Sequence, residues 1–219
     1  MPRILKCICL ALLLLHPGGT AVAAENGLKD FAFAKTLLGE GEWAAAMNFF
    51  GLAISSGGLT KKQLAVAHHL RGVSRAKFNK QTAALRDYQK AAALDPGYLA
   101  VWWSICNHHT AVTARLDAAL EACNRALSLD ENHAPSYALR AEVWHGKGRT
   151  ERAEADFRQS IRLDPKNWSV YFKLGLFYHD GKQPAEAKRN FALAHELAPP
   201  RAQRQMAAVP AFQGYGIAK

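Results

Sequence analysis

An all-α array of paired helices is predicted by three features of the sequence. A period of 34 residues runs through much of the chain, and apolar residues recur at helical spacing in blocks of about a dozen. No stretch alternates apolar and polar residues with β-branched enrichment, so strands are not indicated. The period is clearest when residues 136–165 are laid against residues 170–199. Tyr137 then meets Tyr171, Trp144 meets Tyr178, Ala153 meets Ala187, Phe157 meets Phe191 and Pro165 meets Pro199, each pair 34 apart.

Working outward gives five units at about 26–59, 64–98, 99–133, 134–167 and 168–201. The first rests on Ala34, Ala46, Phe50 and Ala53. Residues 58–61 are extra between the first two units, and the third is one residue longer, with Glu131 near the usual proline position. Each unit reads as helix, turn, helix, broken by short polar or Gly-containing runs. Thr60 with Gln63 forms a capping box, Gly181 suits a helix stop, and Pro184 suits the first turn of the next helix. Ala34, Gly72, Ala141 and Gly175 are small enough to let the first helix of a pair approach the second, at Ala46, Ala84, Ala153 and Ala187. Phe50, Tyr88, Phe157 and Phe191 fill the space toward the next unit. No unit buries this face alone, so stacking supplies the core. Arg71 precedes Asp87 by 16 residues, as Arg140 precedes Asp156, which predicts ion pairs across two hairpins.

These residues carry a family resemblance. Gly175, Tyr178, Ala187, Phe191, Ala194 and Pro199 resemble the tetratricopeptide consensus, as do Gly72, Ala84, Tyr88, Ala91 and Pro96. The resemblance implies a right-handed superhelical solenoid of about five antiparallel helix pairs that acts as a non-enzymatic scaffold for another protein. It also implies a binding groove along the inner face of the first helices. Projected onto this chain, that face runs through Phe31, Lys35, His69, Val73, Trp103 and Asn107, then Glu142, His145, Phe172, Leu176 and His179. Within a helix these are spaced so as to share one stripe. The groove would be aromatic and His-rich. Family members that grip a C-terminal carboxylate use Lys and Asn at successive groove positions, a pattern absent here beyond Asn107. An apolar or extended peptide segment is therefore the expected partner. Packing between units is the competing role for Trp103 and Phe172.

The chain ends set the compartment. Arg3 and Lys6, the apolar run 7–15, the Pro17–Gly19 break and the Ala21-Val22-Ala23 sequence read as a secretory signal peptide over residues 1–24, cleaved after Ala23 or Ala24. The apolar run is far short of the ~20 residues that span a bilayer. Export to a periplasm or beyond is expected, with a repeat array over 25–201 and a cap and tail over 202–219. Removing Arg3 and Lys6 leaves 26 basic against 18 acidic residues, a mature charge of +8. That charge opens a second reading, an envelope binder of anionic polymer or lipid. The bases are scattered, and export removes the chain from most nucleic acid, so nucleic acid is not an expected partner. Self-association through the array's ends stays open.

Cys106 and Cys123 are the cysteines that remain after cleavage. Cys106 falls 34 after Gly72, in the small-residue slot, and Cys123 falls 34 before Phe157, in the aromatic slot. An even count at facing positions in an oxidising compartment implies a disulfide, with a redox pair or free buried thiols as alternatives. Closing such a loop of about 15 residues stabilises by ~3 kcal/mol in the chain-entropy model. The pair also resembles that of exported repeat proteins of proteobacteria. Adjacent residues on a helix point ~100° apart, so neither His68–His69 nor His108–His109 chelates a metal alone, and no metal or other cofactor is expected. Phosphate loops, zinc-protease motifs and nucleophile elbows are missing, so no catalytic residue is assigned. In the tail, Phe212 and Tyr215 could dock back on the array or onto a partner.

Overall fold

Residues 17–217 are described by a computed structural model, which holds twelve helices and no strand among them. In chain order they are α1 (Pro17–Gly39), α2 (Trp43–Ser56), α3 (Lys61–Lys77), α4 (Gln81–Leu94), α5 (Leu99–Ala111) and α6 (Leu116–Leu129). They continue with α7 (Ala134–Gly146), α8 (Thr150–Leu163), α9 (Trp168–Asp180), α10 (Pro184–Leu197), α11 (Pro200–Ala207) and α12 (Pro210–Gln213). Most of the expected signal segment lies outside the described residues. The expected cleavage points, Ala23 and Ala24, fall inside α1.

The chain divides into two units, Met1–Ile105 and Cys106–Lys219, with the border inside α5. In the first unit α1 pairs with α2 and α3 with α4, and α2 packs on α3. In the second, α7 pairs with α8 and α9 with α10, α6 packs on α7, and α12 reaches back to α9.

Local signals explain where the helices begin and turn. Thr60 caps α3 as expected: its Oγ1 accepts from the Gln63 amide at 3.2 Å, and its own amide donates to Gln63 Oε1 at 2.9 Å. Pro184 opens α10. At the stop of α9, Gly181 keeps an ordinary φ, and the left-handed residue is Lys182, at φ 55°. Gly41, Asn79, Ala114 and Gly148 take the same left-handed role in the turns between the other paired helices.

Inside the hairpins the small residues do more than face an alanine. A Cβ placed on Gly72 would meet Tyr88 Cε1 at 2.6 Å, and one on Gly175 would meet Phe191 Cδ1 at 2.5 Å. Each glycine is therefore the floor under the aromatic ring of its own partner helix. Gly175→Ala is expected to lower unfolding free energy by about 1–3 kcal/mol through overpacking, read as a lower urea midpoint at unchanged slope. The second unit's core gathers around Phe157, Phe177, Tyr178 and Phe191, joined by Met206 and Phe212 from the last two helices. A smaller cluster in the first unit centres on Ala34, Ala46, Phe50 and Ala67.

Candidate functional site

Charge is organised within two of the hairpins. Asp87, on α4, is 3% exposed and receives three cationic or imidazole partners from α3. Arg71 grips it with both ends of its fork, Nε to Oδ2 at 3.0 Å and Nη2 to Oδ1 at 2.7 Å. Arg75 Nη1 donates to Oδ2 at 2.7 Å, and His68 Nδ1 to Oδ1 at 3.1 Å. Burial would push this carboxyl up, but the bonds from His68 and Arg71 and the charges of Arg71 and Arg75 together hold it below its usual range. The same fork recurs on α7 and α8, where Arg140 Nε and Nη2 reach Asp156 at 2.7 and 2.8 Å. Arg140 Nη1 also donates to Asn124 Oδ1 on α6 at 2.9 Å. These pairs cross the hairpins as the 16-residue spacing predicts, and they are structural ties rather than an open charged site.

Cys106 and Cys123 occupy the place of the glycine–aromatic contact. Both are fully buried, with Cα atoms 5.3 Å apart, inside the 4.4–6.8 Å span of a disulfide. Where two other hairpins put a ring over a glycine, at Gly72 and Gly175, this one puts sulfur against sulfur.

The projected groove residues separate into open and closed ones. In the first unit, Phe31 is half-buried with its ring edge-on to Phe50, centroids 6.1 Å apart, and exposed Lys35 lies over it with Nζ 5.8 Å from the ring centre. Val73 is half-buried. His69 departs from the expectation: it is 7% exposed and both ring nitrogens are engaged. Its Nδ1 lies 3.0 Å from the Tyr98 hydroxyl and its Nε2 2.9 Å from Ser104 Oγ. Ser104 Oγ already donates to the Ala100 carbonyl. It must therefore accept from His69 Nε2–H, which leaves Nδ1 to accept from Tyr98. This neutral tautomer ties α3 to the turn before α5 and to α5 itself. Burial lowers the His69 pKa to about 4. Trp103 is half-buried, and its indole N–H is enclosed with no hydrogen-bond partner among the described residues.

In the second unit Asn107 is exposed on α5. Glu142 is half-buried and paired with Lys173. His145 packs edge-on to Phe177 with centroids 5.2 Å apart, and Leu176 is half-buried against the core. Phe172 and His179 are partly occupied by the chain itself. Phe212 is fully buried, with centroids 6.2 Å from Phe172 and 5.4 Å from Phe191, and the Tyr215 hydroxyl lies 3.0 Å from His179 Nδ1. The tail therefore docks back on the last hairpin. Sequence periodicity alone does not reveal this closure. The signal is Phe212 and Tyr215 following a short amphipathic run.

No group of three or more His, Cys, Asp or Glu able to hold a metal occurs among the described residues. Nor does any helix among them have the length and apolarity to cross a membrane.

Two family models described as tetratricopeptide repeat match residues 134–167 and 157–189. Residues 134–189 carry tetratricopeptide repeats. Human Protein O-mannosyl-transferase TMTC3 is 28% identical over 110 residues, which is 50% of this chain and 12% of that protein. The chain thus spans about an eighth of the length of that curated relative. Among solved structures, the tetratricopeptide protein TTC0263 of Thermus thermophilus superposes with a TM-score of 0.69 at 20% identity, covering 85% of this chain and 99% of that one. YrrB, described as a tetratricopeptide protein with an unusual peptide-binding site, gives a TM-score of 0.60 at 17% identity, covering 81% of this chain and 89% of that one. At these identities the likeness to the repeat structures is one of fold.

Proposed function

We propose that this protein is an exported, non-enzymatic scaffold that holds a polypeptide on the open faces of its first helices. Tetratricopeptide repeats are in general protein-binding scaffolds. The observation that carries the reading is the contrast within the second unit. Alanines, aromatics and the cysteine pair close the hairpin interiors, while Asn107, Glu142, His145 and Leu176 remain exposed or half-exposed on α5, α7 and α9. The peptide-binding site named for YrrB supports a peptide ligand by analogy of fold. The amino-terminal pattern of charge, apolar run and small residues supports export to a periplasm, and in that oxidising compartment the Cys106–Cys123 pair forms a disulfide.

The test is affinity capture from periplasmic extract with the mature chain at low and high salt. Asn107→Ala combined with Leu176→Ser is expected to lose a small set of proteins that wild type retains at both salts. Identical recoveries from both forms would reject the reading. A second reading, attachment to anionic polymer or lipid, is favoured by cations in the turns between paired helices: Lys80, Arg115, Arg149 and Lys182. It predicts retention that falls steeply with salt and has no protein selectivity.

A further inference from the structure

The carboxy-terminal helices do more than seal the last hairpin. Between the first turns of α9 and the inner side of α11 they leave an open pocket of about 260 Å³, lined by Trp168, Phe172, Ala202, Gln205, Met206 and Val209. Its wall is apolar apart from Gln205, Ser169 and Lys173, and Lys173 is neutralised by its pairing with Glu142. The volume falls below the roughly 300–1,000 Å³ typical of small-molecule sites. It is the size for an anchor side chain. On its carboxy-terminal side the charge has one sign. Arg201 and Arg204 are exposed on α11, the helix that supplies Ala202, Gln205 and Met206, and the sequence has no acidic residue from Leu197 to Lys219.

We infer that this pocket takes one bulky apolar side chain of a partner peptide whose flanking residues are acidic. The inference rests on the scaffold reading and specifies the partner's chemistry. Enclosed aromatic and aliphatic anchors supply most of the energy of such interfaces. Arg201 and Arg204 on the same helix add steering and select acidic flanks. Phe172 belongs to the pocket and also packs on Phe212, so the site exists only because the tail has folded back.

The probe is an acidic hexapeptide with one central tryptophan, titrated calorimetrically against the full mature chain, beside the same peptide with serine in place of tryptophan. The expected result is saturable binding that weakens at least tenfold with the serine peptide and with Gln205→Trp. That variant fills the pocket from an exposed position and should keep wild-type helicity and urea midpoint. Arg201→Glu with Arg204→Glu should weaken binding and flatten its salt dependence. Absence of saturable binding by wild type, or equal binding by Gln205→Trp, would overturn the inference. So would saturable binding of dihexanoyl phosphatidylglycerol that Gln205→Trp abolishes while the peptide stays inert, because the pocket would then belong to a lipid chain. If capture through Asn107 and Leu176 succeeds while Gln205→Trp changes nothing, only the pocket inference fails. If the peptide binds while that capture fails, the pocket stands and the broader reading falls.

Discussion

Asp87→Ala is expected to lower the unfolding free energy by about 3–5 kcal/mol, the cost of removing one partner from a buried ionic cluster. The substitution leaves His68, Arg71 and Arg75 facing a small apolar side chain. Arg71 and Arg75 are 16% and 27% exposed, so water recovers part of their charge, which places the effect toward the lower end. Asp156→Ala should cost less, because Arg140 keeps its bond to Asn124. Urea unfolding of the two variants checks both statements, with a lower midpoint and an unchanged slope. A loss below about 1 kcal/mol at Asp87, the level of a surface pair, would show that solvent already screens the cluster.

Acid is expected to destabilise the fold well above the range where carboxylates titrate. His69 is held neutral with its pKa lowered to about 4, against 6.5 for the unfolded chain. The unfolded state therefore binds the proton first as pH falls. The contribution of His69 is whole above pH 6.5 and is lost progressively down to about pH 4, about 3 kcal/mol in all at 1.36 kcal/mol per pKa unit. Burial also lowers His108, His109 and His133, so they act in the same direction. The Asp87 carboxyl, lowered by its cationic partners, adds a further loss only below the usual carboxylate pKa of about 4. Urea midpoints at pH 7.5, 6 and 5 should fall in sequence, and His69→Gln should flatten that dependence. A flat wild-type profile would mean that His69 takes up its proton without disturbing Tyr98 and Ser104.

The hairpins and their internal ties were legible because they depend on short, repeated spacings. Gly72 and Tyr88, Gly175 and Phe191, and Arg71 and Asp87 all lie 16 residues apart, across a single turn. A family pattern fixes which helix faces meet at that distance. Groove membership was less legible because it depends on what the next element brings. The stripe through His69 and Val73 is a sound helical stripe. Burial of His69 comes from Tyr98 and Ser104, 29 and 35 residues later. Phe172 and His179 are likewise contacted by Phe212 and Tyr215, residues with no counterpart in the repeat pattern, with Phe172 left half-buried and His179 exposed. Asn107 and Leu176 lack such later partners among the hydrogen bonds and ring contacts described above, and they form the open part of the proposed face.

The most direct test of the scaffold reading is photo-crosslinking in the periplasm with benzoylphenylalanine placed at Asn107, on a first helix, or at Glu121, exposed on the paired second helix. A discrete protein adduct at Asn107 and none at Glu121 is the predicted result. Equal adducts at both positions, or none at Asn107, would contradict a binding face on the first helices.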